Sequence, residues 1–233
     1  MNRKERWLKA VVLLSGGLDS TVNLACAVES GEVVRAITFE YGQAAFANEA
    51  RAAAAIARRY GVAHAIIGLP WYRDIVTNPV MGRGRLKQHR GRIKGGAAER
   101  LREAWIPNRN GVFLSIGAAI AESLSAAAVV VGFNREEARI FPDNSQAFLR
   151  AVNRTLKLST LSGVKAVCYT IGMTKRQIVA LGLEVGAPLD LIYSCYSRSR
   201  TQRMCGRCQS CVGVKSALRA NHVMGKYAGR FAA

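Results

Sequence analysis

Short apolar runs alternate along the chain with Ala-rich, more polar stretches, and this rhythm predicts strands and helices in turn. The first apolar run, 10–14, stops at a glycine pair and reads as a buried strand. Residues 15–20 form the turn, and 21–29 a helix stopped by Gly31. A second strand at 33–39, a helix at 48–60 ended by Gly61, and a third strand at 63–68 continue the pattern. The segment 70–104 breaks it with Pro70, Pro79 and five glycines, and reads as a long surface loop. Alternation resumes with a helix at 112–125, a strand at 127–131, a polar loop from Gly132 through Asp143 and a helix at 145–158. A strand at 166–169 and a helix after Thr174 complete the body. The fold class is therefore α/β, a doubly wound parallel sheet with right-handed crossovers over residues 1–193. A small cysteine-bearing module follows at 194–233.

Composition agrees: half the 233 residues are hydrophobic and only 7% aromatic, which suits Ala-rich helices better than a β-sandwich. No apolar run approaches the ~20 residues a bilayer crossing needs. The first six residues lack a signal-peptide pattern, so a cytoplasmic protein without a membrane partner is expected.

The net charge of +19 adds a question. Arg83, Arg85, Lys87, Arg90, Arg92 and Lys94 form one unopposed stretch. Arg198, Arg200, Arg203, Arg207, Lys215, Arg219, Lys226 and Arg230 form another. Such surfaces suit an acidic protein, a nucleic acid or an anionic substrate; they equally suit a plainly solvated loop and tail. Charge alone does not choose.

Chemistry concentrates in two places. Ser15-Gly16-Gly17-Leu18-Asp19-Ser20 joins a buried strand to a helix, so backbone amides and the positive helix end converge on one point. Ser15 and Ser20 add hydroxyls, and the glycines admit phosphate oxygens closely. Walker A spacing and its lysine are missing, and the dinucleotide glycine spacing fails as well. The bland alternative is a tight turn with Ser and Asp capping the helix. The second place is Cys195 with Cys205, Cys208 and Cys211, four soft ligands suited to tetrahedral Zn²⁺ in a structural role, with an iron–sulfur cluster as the rival. Nearby arginines would help keep the thiolates ionised. Cys168 reads as a buried strand thiol, and His64, His89 and His222 find no partner by spacing.

The Ser-Gly-Gly-Leu-Asp-Ser loop resembles that of ATP pyrophosphatases, an adenine nucleotide alpha hydrolase-like fold. Collinear segments widen the likeness: residues 14–24, 39–43, 106–110, 131–134, 141–144, Thr174-Lys175, Pro188-Leu189, Ser194-Cys195-Tyr196 and the cysteine tail. Together they resemble the 7-cyano-7-deazaguanine synthase (QueC) family of queuosine and archaeosine biosynthesis. Asn144-Ser145 after Pro142-Asp143, and the run from Ile106 to Gly111, are closer to its archaeal branch.

The resemblance implies an ATP-dependent carbon–nitrogen ligase. It would adenylate 7-carboxy-7-deazaguanine, let ammonia displace AMP, then adenylate the amide so that a nitrile forms. By the same resemblance Leu14, Ser15, Gly16, Gly17, Leu18, Asp19, Ser20 and Thr21 hold ATP, with Phe39, Tyr41 and Gln43 on the adenine side. Asp19 positions Mg²⁺ accompanying ATP, and Lys175 neutralises the departing pyrophosphate. Asn108, Arg109, Asn110, Phe141 and Asp143 face the deazaguanine, and a homodimer is implied. For Phe141 core packing, and for Arg109 a surface ion pair, are the bland alternatives. Two variations keep the adenylation: a ligase joining the activated acid to a protein amine, and a tRNA-modifying relative. A zinc-bearing RNA-binding module without catalysis is the reading from another class.

Overall fold

The computed structural model describes residues 7–76 and 105–232. The basic stretch from Arg83 to Lys94, and His89 within it, lie outside the described residues.

Five parallel strands form one sheet in the order β3-β2-β1-β4-β5. They are β1 (Trp7–Leu13), β2 (Gly31–Glu40), β3 (His64–Gly68), β4 (Ala128–Val130) and β5 (Lys165–Val167). Parallel sheets need cover on both faces, and the alternation along β1 and β4 shows that cover. Val11, Leu13, Val129 and Val131 point into one buried cluster, with Leu114 and Ala118 of α4 (Arg109–Ser123) and Leu149 and Leu156 of α6 (Gln146–Ser159). Ala10, Val12, Leu14, Ala128 and Val130 point into the other. There they meet Leu24 of α1 (Leu18–Ser30) and Ala53 and Ile56 of α2 (Phe46–Arg59). Helices thus sandwich the sheet, as a doubly wound fold requires.

Several boundaries shift by one to three residues from the sequence pattern, and three differences have a clear local reason. Helix α1 begins at Leu18, not at residue 21, because Gly17 already serves as its N-cap; Asp19 then sits in the first turn, where an anion is favoured. Segment 70–104 opens with a one-turn helix, α3 (Trp71–Ile75). The polar loop after Gly132 contains α5 (Arg135–Ala138) and a 3-10 turn at Pro142–Asn144. A four-residue helix is too short to show periodicity; what starts it is Asn134, whose side chain accepts from the Glu137 amide.

A third buried cluster joins the C-terminal segment to the body. Helix α7 (Lys175–Glu184) supplies Ile178 and Val179, α1 supplies Leu18 and Val22, and α8 (Gln209–Ala220) supplies Val214 and Leu218. Cys195, Cys211 and Phe231 are buried among them. A capping box, Thr174 with Gln177, fixes where α7 begins. The last helix is α9 (Met224–Tyr227). No described helix is long and apolar enough to cross a membrane.

Candidate active site

In an open α/β sheet, ligands bind beyond the carboxyl ends of the strands, where the strand order reverses. Here β1 leads to β2 on one side and lies beside β4 on the other, so the switch point is the β1–β4 edge. A cleft of about 250 Å³ opens there, floored by Leu14, Ser15 and Gly17 after β1 and walled by Val131 and Gly132 after β4.

The turn is built for close approach. Gly16 has φ +79°, and a Cβ on it would stand 2.7 Å from the Glu49 carbonyl oxygen and 2.9 Å from the Ala53 nitrogen, both in α2. Ser15 and Ser20 hydroxyls lie 3.0 Å apart, and the Thr21 hydroxyl donates to the Gly17 carbonyl at 2.7 Å. The opposite wall presses equally hard. A Cβ on Gly132 would come within 2.6 Å of the Ser20 nitrogen.

Above the turn lies a partly buried ion cluster. Lys175, at the start of α7, donates to Asp19 Oδ2 at 3.2 Å and to Glu137 at 3.0 Å. Asn134 donates to the same Asp19 oxygen at 3.3 Å while its own Oδ1 caps α5. Burial opposes charge on Lys175, but Asp19 and Glu137 outweigh it and hold the ammonium protonated well above the ordinary range. For Asp19 burial prevails and its pKa rises, though Lys175 pulls it down. Glu137 is only partly buried, with 38% of its side chain exposed; its partial burial works against its charge, yet Lys175 carries its pKa below the usual value. One cation shared by two carboxylates leaves the deeper carboxylate the less satisfied. Asp19 Oδ1 is buried and accepts no hydrogen bond, which is the condition of an oxygen awaiting a cation.

The far side of the cleft is aromatic and polar. Phe39 stacks on Phe113 with ring centroids 4.1 Å apart, and Tyr41 receives Arg109 both at its hydroxyl (3.4 Å) and over its ring (5.9 Å). Gln43 lines the cleft, but its amide closes the turn after β2, donating to the Phe39 carbonyl and accepting from the Tyr41 amide. Arg109 opens α4; burial works against its charge, but Tyr41 and Asp143 outweigh it and its pKa is raised.

Of the residues expected to contact ligands, Leu14, Ser15, Gly17, Leu18, Asp19, Ser20, Phe39, Tyr41, Gln43, Arg109, Asn110, Phe141 and Lys175 all line this one cleft. Gly16 and Thr21 support it from behind. Asn108 is the left-handed N-cap of α4. Asp143 is buried beside the cleft, accepting at its carbonyl from Asn110 and at its carboxylate from Asn144, which takes the lining position. Of the lining residues, Glu137 and Glu49 were not singled out by the sequence, and Asn144 and Ser194 fell within matching segments without a role. Glu137 had one available signal, its place three positions after Asn134, the last residue of a segment already singled out, where an acid suits the first turn of a helix. Two smaller readings change. His64 has a partner, the Thr38 hydroxyl at 2.8 Å, and Cys168 is half-buried just past the end of β5, taking the Phe133 amide at 3.3 Å.

Cys195, Cys205, Cys208 and Cys211 bring their sulfurs within 4.8 Å of one another, a set able to hold a metal ion. Backbone amides of Ser197, Cys205 and Cys208 point at these sulfurs (3.3–3.4 Å). Arg203, one of the arginines near the cluster, donates to the Gly229 carbonyl.

A glycine-rich phosphate turn at the switch point of a doubly wound sheet, with a lysine held over it, defines an adenine-nucleotide enzyme of the ATP-pyrophosphatase class. The family described as "Queuosine biosynthesis protein QueC" matches residues 9–222, and the chain belongs to it. The 7-cyano-7-deazaguanine synthase of Pelotomaculum thermopropionicum is 44% identical over 215 residues, covering 88% of this chain and 94% of that protein. The one from the archaeal source Methanothermobacter thermautotrophicus is 41% identical over 211 residues, covering 90% and 94%. Among solved structures, the U34-tRNA thiolase NcsA from Methanococcus maripaludis with its [4Fe-4S] cluster overlaps at TM-score 0.49 and 15% identity, over 97% of this chain and 73% of that one. Likeness so slight bears on neither chemistry nor ligand.

Proposed function

We propose that this chain is a 7-cyano-7-deazaguanine synthase, an ATP-dependent ligase acting on 7-carboxy-7-deazaguanine and ammonia. Neither a carboxylate nor an amide oxygen departs unaided; adenylation makes each a leaving group. The substrate's own oxygen attacks the α-phosphorus, so the protein contributes position and charge rather than a nucleophile. Amides of residues 15–20 receive the β- and γ-phosphates, and Lys175 neutralises the pyrophosphate as it leaves. Mg²⁺ arriving with the nucleotide would be held at Asp19, whose free buried oxygen suits it, and would supply further charge neutralisation. The aromatic wall of Phe39 and Tyr41 takes the adenine, and Arg109, Asn110, Phe141 and the Asp143–Asn144 turn face the deazaguanine. The observation that carries the proposal is Lys175, immobilised by Asp19 and Glu137 above the phosphate turn.

We assign the cluster of Cys195, Cys205, Cys208 and Cys211, the knot of the C-terminal segment, to Zn²⁺. A Zn–S bond of ~2.3 Å gives a tetrahedron with sulfurs about 3.8 Å apart, and Cys205–Cys211 and Cys195–Cys208 stand at 3.9 and 4.0 Å. An eight-atom cubane would need to spread them further. Four thiolates leave no open position, so the ion is structural.

Incubation with 7-carboxy-7-deazaguanine, ATP, Mg²⁺ and ammonia tests the reading. Nitrile with two AMP and two pyrophosphate per turnover is expected. An amide as the final product would assign the chain to amine conjugation, and ADP with phosphate would remove the adenylation mechanism.

A further inference from the structure

Helix α1 starts without a side-chain cap of its own, because its N-cap is Gly17. The first amides of a helix are orphan donors unless something outside accepts them. Ser194 does so from 176 positions away: the Leu18 amide donates to its hydroxyl at 3.0 Å. Its neighbour grips the other side of the turn, the Tyr193 amide donating to the Gly16 carbonyl at 2.7 Å. Between these bonds, Ser194 Oγ lies 3.5 Å from where a Cβ on Gly17 would stand, and Ser194 itself lines the cleft. It is held from behind as well. Its own amide donates to Met204 Sδ at 3.3 Å, and the next residue is Cys195 of the knot.

We propose that Ser194 is a positioning residue of the nucleotide site, fixing residues 16–18 of the phosphate turn through its hydroxyl. A hydroxyl accepts and donates at once, so the oxygen that caps Leu18 can also offer its proton to a phosphate oxygen. The inference rests on the reading that this cleft holds ATP. It assigns one reason for the C-terminal segment to be present: the phosphate turn is incomplete without it.

Calorimetric binding of α,β-methylene ATP, which cannot be adenylated from, separates the two. Loss of a helix cap predicts roughly 2- to 30-fold weaker binding for Ser194→Ala. KM for ATP should rise in parallel, with KM for the deazaguanine acid unchanged. Should the alanine variant not fold, the isosteric pair Ser194→Thr and Ser194→Val decides, threonine retaining most of the affinity and valine losing it. A serine that merely supports the fold would lower the melting temperature and leave the dissociation constant unmoved, which overturns the inference. Tighter binding by the variant also overturns it, since the serine would then be competing with phosphate for the Leu18 amide. If wild-type protein fails to bind the analogue, the ATP reading falls first.

Discussion

Glu49 sits in the cleft wall with its carboxylate accepting from Gln43 at 3.1 Å, and burial pushes its pKa up to about 7. The Gln43 bond and the Arg109 charge pull the other way without prevailing, and Cys195 adds to the rise. An unfolded glutamate titrates near ~4.3. Between those values the folded chain holds a proton the unfolded chain has lost, so Glu49 costs stability progressively as pH rises through about 7. Glu49→Gln keeps the acceptor and removes the ionisation. Its stability advantage over wild type should therefore widen between about pH 5.5 and pH 8.5, as urea unfolding at the two pH values would show; a gap that narrows contradicts the burial. Residues of this kind mark the limit of sequence reading. Asp19 and Lys175 were legible because each belongs to a short pattern at the start of a helix. Glu49, Glu137 and Ser194 are ordinary polar residues locally, and only the packing of α2, α5 and the C-terminal segment onto the turn gives them a role.

At the scale of elements, the strands and most helices were legible because both faces of β1 and β4 are buried and leave continuous apolar runs. What stayed hidden was how closely the elements approach. Gly132 read only as the residue where a polar loop begins, yet it is where the end of β4 meets the first turn of α1, with backbone atoms of Asp19 and Ser20 within 2.8 Å of a would-be Cβ. Backbone cannot swing aside as a flexible side chain can. Gly132→Ala should push α1 away from the sheet, at a cost of about 1–3 kcal/mol typical of overpacking. Because α1 carries Asp19 and the phosphate turn, ATP affinity should fall as well. Unfolding curves and analogue titration of the same variant read the two effects. A destabilised variant with unchanged affinity would show that the turn moves independently of α1.

The molecule as a whole carries far more positive charge than it pairs. Its net charge is +19, and three ion pairs join described residues: Arg73–Glu40 at the surface and the two on Lys175 within the site. Exposed Arg198, Arg200, Arg203 and Arg207 crowd the knot, in a C-terminal segment with no acid after Asp190. Self-repulsion of like charges opposes the compact state, and mobile ions screen it over a Debye length of about 10 Å at 0.1 M. The Asp19–Lys175 pair, with its side chains 15% and 12% exposed, is shielded from such screening, so added salt relieves repulsion without loosening the site. Raising sodium chloride from about 20 to about 300 mM should then lift the melting temperature by a few degrees. A wild-type melting temperature that fell with salt would mean that attractive surface pairs outweigh repulsion, and the unopposed arginines would have to be counted as paired.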